Sequence, residues 1–194
     1  MLDVQGTWDE ALSILQPALT LAPNDSKMTA EVYYAIAQPL HHQRRLAEAE
    51  QHLREAVRLS PEYPGAHNGL GNVLRDQSRF EEALVCYQAA LILRPDLPEF
   101  HNNLGNVLRE LNRLPEAETA YREALGLRPD YSDAWSNLGN LLHERGANLE
   151  AIQAHRRALE LTPDDAVAHM NIGPPLLFEG ELTEGWNAYE WRWR

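Results

Sequence analysis

The chain has 194 residues, 44% of them hydrophobic, which is enough apolar material for a packed core and excludes a disordered polar chain. A formal net charge of −12 disfavours nucleic-acid backbones and anionic membranes, which require clustered basic side chains, and permits a basic or neutral polar partner. The single cysteine, Cys86, excludes a disulfide framework and a cysteine metal site.

The first residues, MLDVQGTWDEAL, lack the basic start and apolar stretch of a signal peptide. No apolar run reaches the roughly 18 residues that a membrane helix needs. A cytoplasmic location is therefore the default expectation. From Gly6 to Pro23 the pattern is that of a single amphipathic helix.

From residue 30 onward the sequence repeats. Leu70-Gly71, Leu104-Gly105, Leu138-Gly139 and Ile172-Gly173 recur at an interval of about 34 residues, the period of a helical repeat. Pro61, Pro95, Pro129 and Pro163 keep the same step. So do two small-residue columns, Ala49, Ala83, Ala117 and Ala151, and Ala56, Ala90, Ala124 and Ala158. An aromatic or its stand-in recurs at Leu53, Tyr87, Tyr121, His155 and Tyr189.

Within the copy from Pro64 to Leu97, apolar and small residues at Leu70, Gly71 and Leu74, then Ala83, Leu84, Tyr87, Ala90 and Leu91, fit two amphipathic helices. Asp76-Gln77-Ser78-Arg79 is the polar turn between them, and Pro95 stops the second helix. The next copies run from Pro98 to Tyr131, with Pro115 in the first turn of its second helix, and from Ser132 to Asp165, with Gly146 at the inter-helix turn. The pattern predicts an all-α chain of eleven helices, with turns near residues 43–46, 77–80, 111–114, 145–148 and 179–182.

Gly71, Gly105, Gly139 and Gly173 fall mid-helix, where glycine costs about 1 kcal/mol relative to alanine. A close helix–helix crossing is the expected reason, and Ala37 fills the equivalent place in an earlier copy. Pro39, Pro174 and Pro175 sit inside first helices of the outer copies, where a kink is expected.

These residues resemble the tetratricopeptide repeat family. Its pattern is met by Trp135, Leu138, Gly139, Leu142, Ala151, His155, Ala158 and Pro163, with His67, His101 and His169 at the tryptophan place. The resemblance implies an α-solenoid of helix–turn–helix units wound as a right-handed superhelix. Residues 1–29 form a partial N-terminal repeat, its second helix, and a connection lengthened around Asn24–Met28. Residues 30–194 are expected to form five repeats, the last incomplete.

In such arrays ligands lie along the concave face of the first helices. Steps of three and four put Asn68, Asn72 and Arg75 on one face, then Asn102, Asn106 and Arg109, then Ser136, Asn140 and His143. Asn103, Asn137 and Asn171 form a neighbouring column. Each asparagine offers a donor and an acceptor, so a ladder of them suits the backbone of an extended peptide. Here the chain looks like the array of O-GlcNAc transferases. A carboxylate clamp, which needs paired Lys and Arg in the groove, fits poorly. The histidine column is too widely spaced for a zinc site and is read as packing.

No nucleophile–base pair, phosphate loop, cofactor motif or metal set stands out, so the chain reads as noncatalytic. A protein-interaction module is the first reading, and the substrate-recruiting arm of a glycosyltransferase-like enzyme is the alternative. Self-association through the aromatic end is a third. There Trp186, Tyr189 and Trp193 share a helical face expected to pack near Leu176, Leu177 and Phe178, while Trp191 is turned away toward a partner.

Overall fold

The computed structural model describes residues 4–21 and 26–191. Eleven α-helices and no strand occur among them: α1 (Val4–Leu21), α2 (Ser26–His42), α3 (Leu46–Leu59), α4 (Pro64–Asp76), α5 (Phe80–Leu93), α6 (Pro98–Glu110), α7 (Leu114–Leu127), α8 (Ser132–Glu144), α9 (Asn148–Leu161), α10 (Ala166–Phe178) and α11 (Leu182–Glu190). The chain divides into two units, residues 1–95 and 96–194. The first holds α1–α5 and the second α6–α11.

All five expected turns occur in place. Each contains one residue in the left-handed region, and these recur at the repeat interval: Arg44, Ser78, Asn112, Gly146 and Gly180. Only the last two are glycines, which adopt positive φ without a Cβ clash. The turn shape therefore follows the repeat rather than glycine placement. After each of the first three turns an arginine grips a first-turn glutamate, in the pairs Arg45–Glu48, Arg79–Glu82 and Arg113–Glu116. Pro64 and Pro98 open α4 and α6, and Pro115 sits in the first turn of α7. Its missing N–H costs nothing there.

The small-residue columns are the core. Ala49, Ala83, Ala117 and Ala151 are fully buried, as are Ala56, Ala90, Ala124 and Ala158. In the first unit Ala30, Ala56 and Ala66 pack under Tyr33, Tyr34 and Tyr63. In the second, Ile152, Ile172, Leu176 and Ala188 form a cluster with Leu159.

Three of the mid-helix glycines answer to rings, and at Gly173 a Cβ would meet both the Tyr189 ring at 2.9 Å and the backbone oxygen of Gly185 at 3.3 Å, the expected close crossing. A Cβ on Gly71 would lie 2.7 Å from the Tyr87 ring, one on Gly105 2.5 Å from Tyr121, and one on Gly139 2.7 Å from His155. Ordinary carbon contacts are about 3.5–4.0 Å. In the one copy with Ala37 in this column, the aromatic place holds Leu53, and both are buried.

α2 starts at Ser26 rather than near residue 30 and has 17 residues where α4, α6, α8 and α10 each have 13. Part of the expected extra connection is thus an added helical turn. Residues 22–25 lie outside the described residues. Pro39, Pro174 and Pro175 stand inside α2 and α10, which run on through them as helices.

Candidate functional site

The sequence-selected polar residues fall into two sets. In the first unit, Asn72 and Arg75 lie half-buried on α4, with Asn68 one helical turn before Asn72. Asn72 Oδ1 accepts a 2.8 Å hydrogen bond from the Tyr87 phenol. Arg75 is paired with Asp76, which also receives His41 at 3.0 Å and Arg44 at 2.7 Å. Burial alone would raise the Asp76 pKa, but hydrogen bonds from His41 and Arg75 more than offset it and hold the carboxyl low. These side chains are engaged within the fold.

In the second unit, first helices α6, α8 and α10 line a polar groove of about 400 Å³. Asn102, Asn106, Asn137 and Asn140 all reach it, joined by Ser136 and Asn171. Asn103, Arg109 and His143 are not part of its lining. Arg109 faces Glu144 at 3.5 Å, and His143 Nδ1 lies 2.7 Å from Asn148 Oδ1.

The asparagines are not equivalent. Asn102 is only 5% exposed and accepts from Asn137 Nδ2 at 3.0 Å, tying α6 to α8. Asn106 Oδ1 accepts from the Tyr121 phenol at 2.8 Å, repeating the Asn72–Tyr87 bond one copy on. Burial pushes both phenols above their usual pKa, so both stay donors. In the third copy the ring is His155. Its two nitrogens are buried with no partner among the described residues, and burial, with His143 adding to it, pushes its pKa down to about 4. The equivalent asparagine, Asn140, has no side-chain hydrogen bond among the described residues, and neither has Asn171.

Two carboxylates that the column reading missed also line the groove, Asp133 and Asp165. Asp165 caps α10, its Oδ1 accepting from Val167 N at 2.9 Å and Ala168 N at 3.2 Å. One copy on from Asp133 stands Val167, and one copy back from Asp165 stands Tyr131, so no unbroken acidic column marks them.

The histidine column has a role beyond packing. Trp135 Nε1 donates to the Pro129 carbonyl at 2.9 Å. His67 Nε2 donates to Pro61 O and His169 Nε2 to Pro163 O, each at 2.8 Å. The ring N–H thus ties α4, α8 and α10 each to the proline turn before it.

At the C-terminal end the expected packing is corrected. Trp186 is 61% exposed and Phe178 76%. Gly185 takes the contact with Leu177, since a Cβ there would lie 2.7 Å from Leu177 Cδ2, and Tyr189 packs on Gly173. Trp191 does not turn away: it stacks on His169, with ring centroids 3.7 Å apart and planes 6° from parallel. Trp193 lies outside the described residues.

Over residues 2–64 and 103–166 the sequence matches the family described as tetratricopeptide repeat, and over 71–109 the one described as TPR repeat. Solved structures share the fold. PilF of Pseudomonas aeruginosa is 22% identical with a TM-score of 0.78, over 86% of this chain and 76% of that one. YrrB, a TPR protein described as having an unusual peptide-binding site, is 24% identical with a TM-score of 0.70, over 90% of each chain. A thermophilic TPR protein of Thermus thermophilus is 25% identical with a TM-score of 0.72, over 89% of this chain and 92% of that one. No curated protein matches the chain.

Proposed function

Because the chain belongs to the tetratricopeptide repeat family, we propose that it is a protein-interaction module whose second unit holds an extended polypeptide in the groove of α6, α8 and α10. The observation that carries this is the pair Asn140 and Asn171, which line the groove with donor and acceptor both unused among the described residues. A peptide backbone needs both groups at regular intervals, and successive first helices supply them. Asn102, Asn106 and Asn137 shape the walls, their own bonds being internal. Asp133 and Asp165 add negative charge at the rim, favouring a segment with basic or neutral side chains. That the fold relative YrrB is described as peptide-binding is consistent with this class of ligand.

The test is selection of displayed peptides on the full chain, followed by affinity measurement on an Asn140→Ala/Asn171→Ala variant. Loss of hydrogen bonds of about 0.5–1.5 kcal/mol each predicts roughly tenfold weaker binding with unchanged helicity. Equal affinity for wild type and variant would refute the groove as the site.

A further inference from the structure

The second unit has two more cavities, both on the side of the second helices, and their linings correspond residue by residue at the repeat interval. One, of about 440 Å³, is lined by Arg122, Leu125, Trp135, Leu138, Glu150 and Arg157, among others. The other, of about 270 Å³, has Arg156, Leu159, His169, Ile172, Glu184 and Trp191 in the same places. The same seat therefore occurs twice, in different states.

In the smaller copy an aromatic ring takes up part of the seat. Trp191 lies flat on His169, and Arg156 reaches Glu184 at 2.9 Å across the rim. In the larger copy the counterpart of Trp191 is Arg157, whose guanidinium is held 2.6 Å from Glu160 on its own helix. Arg122 is held by Glu118 at 2.6 Å and reaches Glu150 only at 3.8 Å, so the rim is bridged more loosely than in the smaller copy. Trp135 belongs to no ring pair among the described residues. Its indole is oriented by the bond to Pro129 O, as His169 is by its bond to Pro163 O.

We propose that the cavity at Trp135 is a binding site for an aromatic side chain of a partner polypeptide, stacked on the indole as Trp191 stacks on His169. Leu125, Leu138 and Leu142 form the apolar floor that such a ring needs. Arg122 and Arg157 stand at the rim beside Glu150, paired with Glu118 and Glu160, and each guanidinium keeps N–H donors beyond those pairs. Those spare donors fit carboxylates that flank the ring in the partner chain. The site lies on the opposite side of α8 from the asparagine groove and does not depend on that groove's function.

The experiment is a titration of isotope-labelled full chain with an end-blocked tripeptide, tryptophan between two glutamates, followed by NMR. The Trp135 indole N–H and the methyls of Leu125, Leu138 and Leu142 are expected to shift, and the peptide with alanine for tryptophan to leave them in place. Arg157→Trp copies the seat with its ring in place and is expected to weaken binding at least tenfold. Trp135→His keeps the ring N–H for Pro129 O, as His169 does for Pro163 O, and is expected to weaken it several-fold. Shifts confined to Asn106 and Asn140, no shifts at all, or undiminished binding to both variants would overturn the site. Equal affinity for N-acetyl-tryptophanamide would overturn the assignment to a polypeptide partner.

Discussion

Gly105→Ala is expected to destabilise the second unit, although the same change elsewhere in it is stabilising. On helix propensity alone alanine gains about 1 kcal/mol. Gly126 in α7 meets nothing within 4 Å of a built Cβ, so Gly126→Ala should show that full gain. At Gly105 the new Cβ would lie 2.5, 2.7 and 2.9 Å from three Tyr121 ring atoms. Carbon contacts sit about 1 Å further out, so the ring must retreat. Tyr121 is fully buried, and overpacking of this kind costs about 1–3 kcal/mol. Retreat also breaks the phenol–Asn106 bond, for about 1 kcal/mol more. The net loss is about 1–3 kcal/mol.

The first repeat shows what relieves the clash, since it pairs Ala37 with Leu53. Gly105→Ala/Tyr121→Leu should therefore be more stable than the sum of its single variants by about 1–2 kcal/mol. Urea denaturation followed by far-UV circular dichroism, read with unchanged m-values, measures all four forms. The reasoning fails if Gly105→Ala is as stabilising as Gly126→Ala, or if the cycle shows coupling within about 0.3 kcal/mol of zero.

Ser78 holds a φ of 61° that favours glycine, so Ser78→Gly should stabilise by a few tenths to about 1 kcal/mol, whereas Gly146→Ala should cost about 1 kcal/mol; thermal melts separate the two signs. His155 titrates near 4 when folded against 6.5 in an unfolded chain. The unfolded state thus binds the extra proton between those values, and stability should fall as pH drops from 6.5 through 4, by at most about 1.4 kcal/mol per pH unit. His155→Tyr should remove that part of the slope, seen as the difference between wild-type and variant denaturation midpoints across this window. The same variant should restore the phenol bond to Asn140 found at Asn72 and Asn106, raising stability by about 1 kcal/mol while weakening binding of any peptide that uses Asn140; unchanged affinity would separate Asn140 from the ligand.

Helix limits and turns were legible because they depend on residues within one copy. Proline at a helix start, alanine at a crossing and glycine under a ring each recur in register, and the period transfers the inference from copy to copy. What escaped the sequence depends on two columns at once. The asparagine column looks uniform, yet Asn106 and Asn140 differ because Tyr121 becomes His155 in the facing helix. The Trp135 and His169 rings look like packing until the proline carbonyl of the preceding turn is seen to take their N–H. Trp191 was misjudged for the same reason. A helical wheel relates it to Trp186 and Tyr189 on α11, but says nothing of what stands at the start of α10, where His169 meets Trp191. Glycine likewise reveals only two of the five left-handed turn residues, since Arg44, Ser78 and Asn112 are pressed into the same conformation by the helices on either side. In a repeat protein, periodicity reports what every copy shares. The two proposed sites lie where one column breaks step with another, Asn140 in the copy that has His155 and Trp135 in the copy that has Arg157.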